Sequence, residues 1–292
     1  MPDAYSSTKL NIKTLKHLSH RLGFQIDVLE KAAAKADKSY KFGKIPKKNG
    51  KGFRNISEPY PLLKSIQESI HRLLKEVTVS DHAHCGIQKK SNLTNARNHC
   101  HKQMIYSLDF QNFFPNIKHN RVFGLYFKEL GCSPPVSSLL TRLCTVRGCV
   151  PQGGSMSMDI ANLVCRKLDS RLSGLCSRYG MAYTRHCDDF TFSGKYFSDK
   201  FRTEVKDIIE ECGFPLNPDK EMNLPHHESQ KVVGLTVNRN KPLIPRDTRR
   251  QWRQEKHFFE KHEADRVNEE VAEKKRNRIG GQQGYLKYIS RD

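Results

Sequence analysis

The chain predicts an α+β fold, and three observations carry that expectation. Apolar residues recur at three- and four-residue steps in two stretches, Leu15, Leu18, Leu22, Ile26 and Leu29, then Leu62, Leu63, Ile66, Ile70, Leu73 and Leu74. That period belongs to amphipathic helices. Short runs rich in apolar and β-branched residues, at 104–108, 181–185 and 190–193, have the length of strands. Segments 40–45 and 53–56 flank a turn carrying Asn49-Gly50, the strongest short-range hairpin signal.

In chain order, residues 8–35 read as helices, extended by Ala32, Ala33 and Ala34. Residues 39–58 read as a hairpin whose tip holds Lys47, Lys48 and Lys51, suited to phosphate contacts or simply to a solvated turn. A helix follows at 61–76. A strand ends at Asp109, Phe113-Phe114-Pro115 comes next, and a helix is expected around 119–130. Gly153-Gly154 precedes a helix at about 155–175, with Ile160, Leu163, Val164 and Leu168 on one face. Strands around 181–193, a helix around 198–212 and a strand around 231–237 complete the pattern. The tail from 246 is charged and helical, with Arg249, Arg250, Arg253 and Lys256 as a basic stripe, and Gly280, Gly281 and Gly284 are expected to break it.

The 292 residues suffice for a sizeable core and one or two domains. Fifty-one Lys and Arg against 31 Asp and Glu leave a formal charge of +20, and such an excess concentrates polyanions, nucleic acid first. A hydrophobic content of 36% and a mean hydropathy of -0.71 describe a polar chain. No run approaches the ~20 apolar residues of a membrane span, and no basic helix with an aromatic face suits a membrane surface. Residues 1–20 lack the apolar stretch of a secretory signal. Nine cysteines without paired CxxC ligands fit reduced thiols in the cytoplasm. His82, His84, Cys85, His99, Cys100 and His101 suggest zinc, but their spacing matches no standard finger.

The chemistry concentrates in His186-Cys187-Asp188-Asp189-Phe190 and Leu108-Asp109-Phe110. Asp-Asp is a common turn dipeptide, because Asp bonds its own backbone. Yet two adjacent carboxylates and a distant third, all at strand ends, are also a minimal set for two magnesium ions, which take oxygen ligands. Such a pair, about 3.5–4 Å apart, stabilises the attacking and leaving oxygens of phosphoryl transfer.

The motif order resembles a bacterial reverse transcriptase, and within that group a retron-type enzyme, from the hairpin near Tyr40 to Tyr288. Arg54-Asn55-Ile56-Ser57-Glu58-Pro59 with Leu63-Lys64-Ser65-Ile66-Gln67 looks like the fingers signature. Leu108 to Ile117, Val150-Pro151-Gln152-Gly153-Gly154-Ser155, the Cys187-Asp188-Asp189 turn and Leu216-Asn217-Pro218-Asp219-Lys220 look like four successive palm motifs. Asn95-Ala96-Arg97-Asn98-His99 matches the NAxxH element of retron enzymes. Their second marker, Val-Thr-Gly, is here Val232-Val233-Gly234, and His186 stands where the turn usually begins with Tyr.

The resemblance implies a right-hand polymerase: an N-terminal helical region (1–36), fingers and an antiparallel palm (37–235), and a helical thumb (236–292). It implies an RNA-directed DNA polymerase with two Mg2+ ions held by Asp109, Asp188 and Asp189, with the Phe110 carbonyl as an extra ligand. Arg54, Phe114, Gln152, Gly153 and Lys220 would meet the dNTP. Phe114 would exclude a 2′-hydroxyl, Phe113 would pack in the core, and Lys220 would protonate pyrophosphate or be a surface lysine. Asn95 and His99, with Arg249, Arg250 and Arg253, would contact RNA, His99 having a structural role as its alternative. The partners implied are a cognate noncoding RNA of msr-msd type, its RNA–DNA hybrid, a nearby-encoded effector protein and, since no RNase H segment is evident, a host RNase H. Priming from a guanosine 2′-hydroxyl would give branched msDNA, in anti-phage defence. Two alternatives stand beside it: a non-retron bacterial reverse transcriptase, from another defence system or group II intron-like, and an RNA-binding scaffold without polymerase activity.

Overall fold

The computed structural model describes residues 9–46, 52–263 and 268–290. Helices α1 (Leu15–Leu22) and α2 (Ile26–Ala34) open the chain. The Thr14 side chain accepts from the His17 amide to cap α1, and Gly23, at φ +76, closes it. Strands β1 (Tyr40–Pro46) and β2 (Phe53–Pro59) pair antiparallel from Tyr40↔Pro59 to Pro46↔Phe53. The expected tip with Lys47, Lys48 and Lys51 lies outside the described residues. Helix α3 (Pro61–Leu74) begins with proline, whose missing amide costs nothing there. It buries Leu63, Ile66, Ile70, Leu73 and Leu74, whereas Leu62 faces outward.

Next come α4 (Asn92–Arg97), β3 (Met104–Asp109), α5 (Phe113–Asn116), α6 (His119–Gly124) and α7 (Pro134–Cys144). The expected helix at 119–130 is α6 widening into a π-helical turn at Leu125–Glu129. The expected helix at 155–175 is two, α8 (Ser157–Val164) and α9 (Arg166–Arg178), divided at Cys165. Then follow β4 (Ala182–His186), β5 (Asp189–Gly194), α10 (Asp199–Glu211), β6 (Met222–Pro225), β7 (Lys231–Val232), β8 (Leu235–Thr236), α11 (Arg246–Phe258) and α12 (Glu269–Ser290).

The central sheet is antiparallel in the order β4-β5-β3-β6. Tyr106 and Phe192 of this sheet, Phe197 of the loop after β5 and Phe201 of α10 form part of its aromatic core. A second, smaller core joins Leu93 and Ala96 of α4, Val232 and Leu235 of β7–β8, and Ile289 of α12, with Trp252 and Tyr285 against it.

Contrary to expectation, α12 runs unbroken through Gly280, Gly281 and Gly284. Each glycine costs a helix about 1 kcal/mol relative to alanine. Offsetting this, α12 buries Ala272, Ile279 and Ile289, and Gln282 donates to Glu255 of α11 at 3.0 Å. No helix among the described residues is long and apolar enough to cross a membrane.

Candidate active site

Strand pairing brings the three acidic residues together. Asp109 ends β3 opposite Asp189, the first residue of β5. His186 of β4 pairs with the same Asp189, leaving Cys187-Asp188 as a two-residue hairpin turn. Cys187 sits at φ +60, a left-handed conformation that costs a non-glycine residue free energy and gathers at functional sites. The Phe110 amide donates to the Asp188 carbonyl at 3.1 Å, and the Asn217 amide to the Asp109 carbonyl at 2.9 Å. One carboxylate oxygen from each of Asp109, Asp188 and Asp189 lies within 4.8 Å of the others.

Burial, then the neighbouring Asp109 charge, pushes the Asp188 carboxyl above the usual range. Burial, a hydrogen bond with Asp109 and the nearby charges push Asp189 up to about 8. Lys220 Nζ donates to Asp109 Oδ2 at 2.6 Å. Burial alone would lower this ammonium, but the bond and the three carboxylates hold it above its ordinary value. Crowded carboxylates with one ammonium between them call for more positive charge. An all-oxygen donor set of this kind fits a hard divalent cation. Among the described residues this is the one convergent group of three or more His, Cys, Asp or Glu side chains. The histidines and cysteines at 82–101 form no such group.

The sequence reading missed what holds the turn. Arg185 and Asp169 are both fully buried. Arg185 Nε and Nη2 each donate to Asp169 at 2.8 Å. Arg185 Nη1 donates to the Cys187 carbonyl at 2.9 Å and to Asn162 Oδ1 at 3.3 Å. The Tyr183 hydroxyl donates to Asp169 Oδ1 at 2.8 Å. A bidentate guanidinium–carboxylate pair fixes orientation as well as charge. The available signal was a charged residue two positions from Tyr183, on the same buried strand face.

Asn95 and His99 are both fully buried, which favours for His99 the structural role held as its alternative. The Thr184 hydroxyl of β4 donates to Asn95 Oδ1 at 3.0 Å. Having given its proton there, it accepts from His99 Nε2 at 2.7 Å, so His99 Nδ1 accepts from the Ser193 hydroxyl of β5 at 2.8 Å. Burial pushes His99 down to about 3 and keeps it neutral. The NAxxH element therefore clamps the strands that carry Asp188 and Asp189.

The remaining expected residues surround the site unevenly. Phe113 is buried and stacked on Phe110, centroids 4.7 Å apart, while Phe114 is half-buried beside it. Gly153, at φ +132, passes so close to β2 that a Cβ would lie 2.9 Å from the Ser57 carbonyl oxygen. The Ser57 amide also donates to the Gln152 carbonyl at 2.9 Å. The close approach that demands glycine here is thus to the chain's own strand β2. Arg54 is exposed on β2. Arg246, Arg249, Arg250 and Arg253 of α11, with Asp247 and Leu286, line a cavity of about 620 Å3. No carboxylate among the described residues forms an ion pair with Arg249, Arg250 or Arg253.

Residues 45–237 match the family described as "Reverse transcriptase (RNA-dependent DNA polymerase)". The chain is 31% identical over 261 residues to the Retron Ec86 reverse transcriptase of Escherichia coli, covering 88% of this chain and 77% of that enzyme. The chain belongs to the reverse transcriptase family, in its retron type. It is 33% identical to the Retron Mx162 reverse transcriptase of Myxococcus xanthus, covering 79% of this chain but 55% of that longer enzyme. Among solved structures, apo telomerase from Candida tropicalis shares the fold with a TM-score of 0.50 and 14% identity, covering 75% of this chain and 51% of that one. The α+β right-hand polymerase architecture is therefore that of the family.

Proposed function

We propose that this reverse transcriptase binds a cognate structured noncoding RNA and copies part of it into single-stranded DNA, primed from a guanosine 2′-hydroxyl to give branched msDNA. The observation carrying the reading is the convergence of Asp109, Asp188 and Asp189 within 4.8 Å at one end of the sheet. These carboxylates would hold two Mg2+ ions, with the Phe110 carbonyl as a further ligand. Bound there, the ions supply charge neutralisation and an activated primer hydroxyl.

The chain's own residues do the rest. Lys220, already an ammonium at the carboxylates, donates a proton toward the leaving pyrophosphate. Arg54 offers a planar donor fork to the triphosphate. Phe114, anchored by Phe113, closes the space a 2′-hydroxyl would occupy. Gln152 and Gly153, stitched to β2, set the floor beneath the incoming nucleotide. We assign residues 37–235 to fingers and palm and 236–292 to the thumb, where Arg249, Arg250 and Arg253 contact the RNA backbone. A net charge of +20 supports such a partner. The biological reading is anti-phage defence in the cytoplasm with an effector protein, host RNase H trimming the template.

The test is to express the chain with its native flanking DNA and extract the bound nucleic acid. A discrete single-stranded DNA joined to RNA, released by debranching and absent in an Asp188→Asn/Asp189→Asn variant, is expected. Long heterogeneous DNA would refute the retron product, and RNA without DNA would refute polymerisation.

A further inference from the structure

The segment 82–85 runs parallel beside β4. The Arg185 amide donates to the His82 carbonyl at 2.7 Å, and the His84 amide to the Arg185 carbonyl at 2.8 Å. Ala83 pairs with Arg185 in this short ladder. Two residues further along each segment stand Cys85 and Cys187. The two thiols already share a hydrogen bond. Both residues are half-buried and both cysteines are free.

Their backbones are held by the same buried polar group. Asn162 Nδ2 donates to the Cys85 carbonyl at 2.8 Å, and Arg185 Nη1 to the Cys187 carbonyl at 2.9 Å. Arg185 Nη1 also reaches Asn162 Oδ1, closing the connection between the two. Other thiols are engaged elsewhere: Cys100 with the Ala96 carbonyl, Cys144 with the Tyr126 hydroxyl, Cys149 with the Val146 carbonyl.

We propose that Cys85 and Cys187 are a redox modification site, forming a reversible disulfide that disables the catalytic turn. The oxidant is a peroxide. The Cys85 sulfur attacks a peroxide oxygen, forming an S–O bond as the O–O bond breaks and water leaves. The Cys187 sulfur then attacks the Cys85 sulfur, forming the S–S bond as the S–O bond breaks and a second water leaves. The thiol protons end in the two waters. The thiols lose two electrons and the peroxide gains two. A dithiol reductant reverses the change.

The disulfide shortens the sulfur separation to about 2.05 Å, drawing the turn toward segment 82–85. Cys187 adjoins Asp188, so the shift moves a carboxylate that must converge with Asp109. A displacement near 1 Å at a reacting centre costs on the order of 10²-fold in rate.

The effect on activity rests on the polymerase reading above, but the cross-link does not. Full-length reduced protein is treated with hydrogen peroxide, its remaining thiols are alkylated, and its peptides are mapped without reduction. Primer extension on an RNA template is measured before oxidation, after it, and after dithiothreitol. A peptide joining Cys85 to Cys187, with extension lowered about 10²-fold and restored by dithiothreitol, is expected. Cys85→Ser should extend primers like the parent when reduced and resist peroxide, while Cys149→Ser stays sensitive. If Cys85→Ser fails to fold, Cys85→Ala puts the same question. Absence of the linked peptide, or equal peroxide sensitivity in the Cys85 variant, overturns the proposal. A reduced parent that never extends a primer refutes the polymerase reading and leaves the mapped cross-link standing.

Discussion

Replacing Asp169 by Asn tests whether the catalytic turn depends on a buried ion pair. Three donors converge on Asp169, Arg185 Nε, Arg185 Nη2 and the Tyr183 hydroxyl, each at 2.8 Å. Asparagine keeps one acceptor but turns an NH2 group toward a guanidinium that can only donate. Arg185, with no solvent exposure, is left as an uncompensated buried charge. Breaking such a pair costs about 3–5 kcal/mol. At roughly 2–4 °C per kcal/mol for a chain near this size, the melting temperature should fall by about 6–20 °C. The paired replacement Asp169→Leu/Arg185→Met removes both charges and should recover most of that loss. It cannot recover the bond from Arg185 Nη1 to the Cys187 carbonyl, so primer extension should remain slow in a protein that is again stable. Thermal and urea unfolding with single-turnover extension measure both quantities. Asp169→Asn within about 1 kcal/mol of the parent would refute the buried-charge argument. Parental extension by the double variant would refute a positioning role for Arg185.

Phe114→Ala should raise ribonucleotide incorporation relative to deoxynucleotide by roughly 10–200-fold, the scale on which one steric contact discriminates, read by competition on one template. Gly153→Ala should slow extension and destabilise the chain by about 1–3 kcal/mol, since alanine must adopt a strained φ and clear the Ser57 carbonyl. Unchanged stability would show that the loop carrying Gly153 yields freely. Arg250→Ala and Arg253→Ala should each weaken RNA binding across sequences and reduce the slope of log affinity against log salt by about 1, measured by fluorescence anisotropy. His99 is neutral in the fold, with its value pushed down to about 3, but titrates near 6.5 when unfolded. Its contribution is present above pH 6.5 and is lost as pH falls toward 3. Urea midpoints should record about 2 kcal/mol of this loss between pH 7 and 5, and His99→Gln should flatten that slope.

The three aspartates were legible because their chemistry is carried by residue type and by strand-end position, both of which sequence displays. The β1–β2 hairpin and α3 were legible through their periods. What failed has identifiable physical causes. The Arg185–Asp169 pair joins residues 16 apart on different elements, and pairing across a sheet and a helix leaves no periodic trace. Asn95 and His99 were placed at an RNA surface by the resemblance alone, which carries no information on burial. Their burial depends on Thr184 and Ser193, which supply the hydroxyl partners that make a buried imidazole tolerable. The glycines of α12 suggested a break because propensity acts locally, whereas contacts with α11 and burial of Ile279 and Ile289 act from outside the helix.

The burial of the NAxxH element changes where RNA recognition can act. Helix α4 touches the catalytic hairpin on one side, through Asn95 and His99. On the other it meets α12, where Asn92 Nδ2 donates to the Tyr285 hydroxyl at 2.5 Å and Ser91 Oγ lies 3.3 Å from the Tyr288 hydroxyl. The second retron element packs onto the same helix, with Val232 and Leu235 in the small core beside Leu93 and Ala96. Its turn forces Val233 to φ +45 and Gly234 to φ +81, so its conformation is set by the tightness of β7–β8. Both marker elements therefore fix the placement of α12 against the strands bearing Asp188 and Asp189. Among the side chains this scaffold leaves facing solvent, the arginines of α11 have the charge and position that suit a phosphate backbone.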